Sequence, residues 1–254
     1  MKCRYVWIDN IRAVAMISMI IYHAVWDLVY LYGVKWAWYE GFFSEIWQQS
    51  ICWTFILLSG FCWSFSRNPW KQGIYVSAAG AAVMAVTAVF SYESRVVFGV
   101  LTMIGAAALV MIPCRKLFRR IAPQYGAFLS FLLFGVTYGV NEGFLGFFHI
   151  KLIELPEEWY RNLFTAFLGF PERSFFSTDY FSFLPWIFLY AAGYFLYRIW
   201  EKEKAIPARW LNREIPFLTA LGKRALLLYL IHQPILYAIL QLTFFSCNKL
   251  HIGI

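Results

Sequence analysis

The chain has 254 residues, 61% hydrophobic and only 14% charged, with a mean hydropathy of +0.58. A soluble domain of this length needs far more polar surface, so that class is excluded. The net charge of +8 would suit a nucleic-acid partner, but its distribution along the chain follows a membrane instead.

The first apolar run, about 13–31, is headed by Asp9-Asn10-Ile11-Arg12 and ends with Tyr22-His23-Ala24-Val25-Trp26-Asp27. At about 100° per residue, Arg12 and His23 return to nearly the same helix face, roughly 16 Å apart. Asp27 lies one turn beyond His23, within reach of its ring. Such a polar stripe is costly in a membrane helix unless it faces protein or a water-filled cavity. A carboxylate one turn from an imidazole can hold its tautomer and stabilise the charged ring, as a general base or covalent acceptor requires. Asp9 and Arg12 read either as an interfacial ion pair or as an anion contact, since the guanidinium fork suits phosphate.

Further apolar runs follow at about 51–65, 74–91, 96–113, 125–140, 181–197 and 225–246. Each is near the length that crosses a roughly 30 Å hydrocarbon core, which predicts seven crossings. Ser77-Ala78-Ala79-Gly80-Ala81-Ala82 offers a small-residue surface for close helix packing. The apolar segment 144–170 is broken by Lys151, Glu154, Pro156, Glu157 and Glu158, so it is placed at the outer surface or as a re-entrant segment, with an eighth crossing left open. Asp179 precedes the sixth run, either as a helix N-cap or at a substrate entrance, with Pro185-Trp186 close behind. In the last run His232, Gln233 and Pro234 make a polar spot where proline leaves the Leu230 carbonyl without its helical donor.

With the N-terminus in the cytoplasm, sixteen of the 22 Lys and Arg residues fall on the inner side. That fits the positive-inside rule with the C-terminus outside. The five cysteines, Cys3, Cys52, Cys62, Cys114 and Cys247, show no metal spacing, and His149 and His251 have no partners at ligand spacing, so no metal site is expected. No signal-peptide cleavage pattern, internal repeat or domain boundary is evident, so residues 1–254 are expected to form one polytopic, all-α transmembrane bundle in the cell membrane.

Arg12 and His23, with ten residues between them, resemble the Arg-to-His signature of acyltransferase family 3 membrane proteins. More specifically, several blocks resemble the bacterial relatives of the heparan-α-glucosaminide N-acetyltransferase catalytic domain. These are Ile8-Asp9-Asn10-Ile11-Arg12-Ala13, Phe55-Ile56-Leu57-Leu58-Ser59-Gly60, Phe98-Gly99-Val100-Leu101, Asp179-Tyr180 before Leu184-Pro185-Trp186, and Tyr229-Leu230-Ile231-His232-Gln233-Pro234. The resemblance implies transfer of an acyl group, commonly acetyl, from cytosolic acetyl-CoA to a sugar-type acceptor on the far side. Acetyl-CoA would be a co-substrate, with no permanently bound cofactor.

By the same resemblance His23 matches the catalytic histidine and Arg12 its partner, while Asp9 and His232 match characteristic positions. The residues assigned are therefore His23 and Asp27 for catalysis, Arg12 and Asp9 for acyl-CoA, and Asp179, Trp186, His232 and Gln233 for the acceptor. Two departures stand out: Arg12 is followed by Ala13 rather than glycine, and Thr102 replaces the His or Gln that relatives carry after Phe-Gly-x-Leu. Expected partners are membrane lipids, acyl-CoA and a sugar or glycan-type acceptor, with no nucleic acid and a homodimer left open. The alternatives are a transporter or flippase using the His/Asp stripe as a proton or anion path, and an inactive membrane scaffold.

Overall fold

The computed structural model describes residues 5–39, 41–90, 92–147, 150–203 and 214–249. Cys3, His149, His251 and five of the basic residues assigned to the inner side (Lys2, Arg4, Lys204, Arg209 and Arg213) lie outside the described residues. The described residues form nine α-helices and one two-stranded antiparallel hairpin, so the fold is mostly helical as expected. By their internal contacts they divide into two compact units, one within Met1–Phe55 and Ile206–Ile254, the other within Ile56–Ala205.

The first unit is built on α1 (Val6–Tyr30), which packs against the short α8 (Pro216–Lys223) and the long α9 (Ala225–Lys249). Gly222 is what lets α8 close on α1, because a Cβ there would stand 1.9 Å from the Asp9 carbonyl oxygen. Asn10 and Thr219 tie the same contact, the Thr219 hydroxyl donating to Asn10 Oδ1 across 2.9 Å. Further along α1, Met16 and Met19 meet Ile51 of α2 (Phe42–Trp63) together with Trp47, Leu228 and Tyr229. Trp47 Nε1 donates to Ser18 Oγ at 2.7 Å, so even the apolar cluster carries a polar tie. Beyond the helix end Gly33 takes a left-handed φ of 72°, and the Val34 N–H turns back to the Leu28 carbonyl at 3.0 Å.

The second unit begins in the second half of α2 and contains α3 (Pro69–Phe90), α4 (Val100–Phe118), α5 (Pro123–Thr137), α6 (Leu163–Leu168) and α7 (Trp186–Glu203). The small-residue run of α3 is where α3 and α4 close. A Cβ on Gly80 would lie 2.7 Å from Thr102 N, and one on Gly105 would lie 2.6 Å from Ser77 N. Gly60 and Gly193 do the same for α2 and α7, standing against the Tyr190 and Leu57 carbonyls. Arg198 of α7 satisfies the open end of α4, donating to the carbonyls of Phe118 at 2.6 Å, Ile121 at 3.0 Å and Arg119 at 3.3 Å. A cation there also complements the negative end of the helix dipole.

Each of the seven apolar runs contains a helix, but among the described residues four helices are long and apolar enough to cross a membrane: α1, α3, α4 and α9. The α5 helix stops at 15 residues. The α2 helix is diluted by Glu45, Gln48 and Gln49, and α7 ends in a charged turn from Arg198 to Glu203. These four hold much of their apolar surface outward, with only 11% of the α3 window and 6% of the α9 window buried. The buried set includes Asp9, Asp27, Ser182, Thr219 and His232. Polar groups inside and apolar groups outside is the arrangement a bilayer favours.

The segment after α5 departs from the all-α expectation. Phe144–Phe147 and Ile150–Glu154 pair as an antiparallel hairpin, with Phe144 opposite Glu154 and an irregularity between Leu145 and Gly146. Asn162 then opens α6 with a full capping box, its side chain accepting from Phe164 N and Thr165 N.

Candidate functional site

The stripe read from the sequence does lie on one helix, and the first unit collects its far end against α9. The His23 ring is half-buried, edge-on to Tyr22 at 5.8 Å and beside the His232 ring, with centroids 5.0 Å apart. Helix packing thus brings together two imidazoles that the sequence separates by 209 positions. His232 Nδ1 lies 2.6 Å from the Tyr229 carbonyl oxygen. A carbonyl only accepts, so Nδ1 carries the proton and Nε2 of the neutral ring carries the lone pair. That Nε2 is buried with no hydrogen-bond partner among the described residues.

Asp27 is fully buried, and its partner differs from the expected one. Its Oδ1 accepts from Gln233 Nε2 at 2.8 Å, and no hydrogen bond to the His23 ring occurs among the described residues. The helical spacing placed Asp27 one turn from His23, but the carboxylate turns toward α9, where an amide donor is waiting. Asp27 Oδ2 and Gln233 Oε1 are buried without partners. Three buried atoms (Asp27 Oδ2, Gln233 Oε1 and His232 Nε2) are therefore acceptors lacking a donor. Tyr39, buried at 2% exposure, donates to the Tyr22 carbonyl at 3.5 Å, and burial holds its hydroxyl above the ordinary pKa. Tyr39 gave no sequence signal, because it sits among scattered aromatics outside any periodic run.

At the other end of α1, Arg12 pairs with Asp9 across 3.5 Å. Asp9 is buried, while the Arg12 side chain keeps 28% of its surface.

The remaining assigned residues belong to the second unit. Asp179 does not cap the sixth apolar helix, because α7 begins seven residues later at Trp186. Its Oδ2 lies 3.0 Å from where a Cβ on Gly99 would stand, at the residue that opens α4. The irregular segment around it is held by Phe181 N donating to Phe98 O at 2.8 Å and by Val97 N donating to Ser177 Oγ at 2.9 Å. Phe98 itself takes a left-handed φ of 56°, its ring held between Phe167 and Phe175. Trp186 is a core residue, 6% exposed among Phe134, Tyr138 and Phe181. Thr102 stands at the close approach of Gly80, a position of packing between α3 and α4.

A cavity of about 960 Å³ opens between the hairpin and the segment before α7. Glu142, Glu154, Glu157 and Glu172 line it with Lys151, Arg173, Tyr160, Phe175 and Tyr180. Arg173 is paired with Glu157 at 2.7 Å. At its base Asn141 Nδ2 lies 3.1 Å from the Gly169 carbonyl and 2.9 Å from Ser182 Oγ, a node the sequence reading passed over. Tyr180 donates to the Ala166 carbonyl, and burial pushes its hydroxyl up to about 12.

The family model described as heparan-alpha-glucosaminide N-acetyltransferase, catalytic, matches residues 4–234. The chain belongs to this family. The match takes in Asp9, Arg12, His23, Asp27, Asp179, Trp186, His232 and Gln233, and it runs through both compact units. Comparison with curated proteins and with solved structures gave no match. Membership makes the protein an acetyltransferase-type catalytic domain, and its four apolar helices make it a membrane protein.

Proposed function

We propose that this protein is an integral membrane acyltransferase that moves an acetyl group from cytosolic acetyl-CoA to an extracytoplasmic sugar or related acceptor. The observation that carries the reading is the family match across 4–234, with His23, Asp27, His232 and Gln233 gathered on two of the apolar helices, Asp27 and His232 buried. Such groups are expensive in a bilayer and mark function. In this reading the chain crosses the plasma membrane seven times with its N-terminus inside, and its two units work as one acyltransferase domain.

Arg12, steadied by Asp9, would meet the acyl-CoA phosphates at the inner end of α1, where a planar guanidinium suits that ligand. His23 would take the proton from the acceptor's hydroxyl or amine, or carry the acyl group briefly. Asp27 would place its negative charge near the imidazolium that forms, acting through space. Gln233 would offer its amide oxygen to the incoming N–H or O–H, and His232 would border the acceptor's place. Asp179 would stand at the outer approach, and Trp186, packed in the core, would serve through the wall it builds. A dry pocket between helices would strengthen the base and shield the thioester from hydrolysis.

Purified protein in detergent, given acetyl-CoA labelled in the acetyl group and glucosamine or glucose as probe acceptors, tests this directly. Label appearing on the sugar, lost on His23→Ala, is the expected result. Proton or sugar flux in liposomes without CoA release would assign the polar stripe to transport and overturn the reading.

A further inference from the structure

We propose that His232 is a positioning residue for His23, doing through a His–His hydrogen bond what the spacing of α1 assigned to Asp27. The inference rests on the acyltransferase reading above for its kinetic consequence. Its geometry is independent of that reading.

Asp27 is engaged by Gln233. The His23 ring has no hydrogen bond among the described residues, so nothing there selects its tautomer. Next to it, at 5.0 Å between centroids, lies a ring that is itself fixed. The Tyr229 carbonyl holds the proton on His232 Nδ1, which leaves Nε2 as a bare acceptor buried without a donor. A buried acceptor without a donor is unfavourable. The neighbouring imidazole N–H is the donor that can relieve that cost. The planes are now tilted by 50°, and rotation of the half-buried His23 ring about its Cβ–Cγ bond aligns them.

The chain then runs from the Tyr229 carbonyl to Nδ1–H of His232, and from Nε2 of His232 to an N–H of His23. The other His23 nitrogen is left with its lone pair toward the acceptor. In the transfer step that nitrogen takes the proton of the acceptor's O–H or N–H. The acceptor oxygen or nitrogen bonds to the thioester carbon, the C–S bond breaks, and the proton passes to the leaving CoA sulfur. Other titratable groups around the pair are Tyr22 and Asp27 on α1, Tyr39 before α2 and Tyr229 on α9.

The bond needs Nε2 of His232 unprotonated, and the transfer step needs the base nitrogen of His23 unprotonated. His232→Gln keeps an acceptor facing His23. It should retain a rate within about tenfold of the parent, while His232→Phe should lose about a hundredfold or more in kcat at unchanged KM for acetyl-CoA, in line with the cost of an unset base tautomer. A parental rate in His232→Phe, or a loss in His232→Gln as large as that in His232→Phe, would overturn the proposal.

Side-chain ¹⁵N spectra of the full-length protein in detergent, with His23 assigned through His23→Gln, provide the second arm. A single His23 tautomer that becomes mixed in His232→Phe supports the pair, and a His23 signal indifferent to that change refutes it. If the parent transfers no acetyl group to any probe, the functional reading falls and the spectra alone decide the pair.

Discussion

Gln233 Nε2 donates to Asp27 Oδ1 across 2.8 Å, joining two residues 206 positions apart through a fully buried carboxylate. Removing the amide while keeping bulk, in Gln233→Leu, leaves the carboxylate with no donor in a helix that meets lipid. The expected loss is about 1.5–3 kcal/mol, the range for a hydrogen bond to a charged group. Thermal unfolding of the detergent-solubilised variant should show it, and a change below about 0.5 kcal/mol would mean that water serves the carboxylate equally well.

Gly222 makes a second demand on the same unit. In Gly222→Ala the new methyl would stand 1.9 Å from the Asp9 carbonyl oxygen, so α8 must shift off α1. Overpacking of this kind costs about 1–3 kcal/mol. Gly41→Ala is the matched control, since its nearest neighbour lies at 3.8 Å. Equal melting temperatures for the two variants would contradict the close approach.

Arg198 closes the end of α4 with three carbonyl bonds. Arg198→Leu should destabilise the protein by about 2 kcal/mol, from the lost charge-assisted bonds. Arg198→Lys should recover only part of this, because an ammonium cannot reproduce the guanidinium fork. Full recovery with lysine would reduce the residue's role to charge alone.

Tyr180 predicts an alkaline signature. Burial raises its hydroxyl from 10.0 to about 12 in the folded chain. The unfolded chain ionises first, so the stability it contributes is complete below pH 10 and drains away as pH climbs toward 12. Unfolding measured from pH 9 to 12 should fall more steeply for the parent than for Tyr180→Phe; parallel curves would show that the phenol is not shielded.

Arg12→Ala should raise KM for acetyl-CoA about tenfold or more with little change in kcat, because it removes binding shared by ground and transition states. The steady-state constants of the purified variant check this. A fall in kcat at constant KM would move Arg12 from donor binding to the chemical step.

The sequence was most informative where the physics is local. Each of the seven apolar runs contains a helix, and for the four long enough to cross a bilayer, lipid leaves the backbone little choice but to satisfy itself internally. It misled where a side chain had two neighbours to choose between. Asp27 was read toward His23 by helical spacing, yet Gln233 reaches it from a helix some two hundred residues away. Of the two readings of Asp179, the helix cap fails because α7 begins seven residues later, and the carboxylate lies back at Gly99 where α4 begins. The hairpin of Phe144–Phe147 and Ile150–Glu154 was hidden for another reason: its aromatic and charged residues resemble an interfacial loop, and pairing is a relation between segments.

The α9 helix has only 6% of its apolar window buried in protein. Among lipid chains no hydrophobic effect drives helices together, so close packing and interhelical hydrogen bonds must hold them. The α9 helix meets α1 through Leu228 and Tyr229 on Met16 and Met19, and through the bond from Gln233 to Asp27. Cohesion and chemistry here share that one bond. A variant that loosens the reaction would, on this account, also loosen the grip of one helix on the other, so loss of activity and loss of assembly have to be measured side by side.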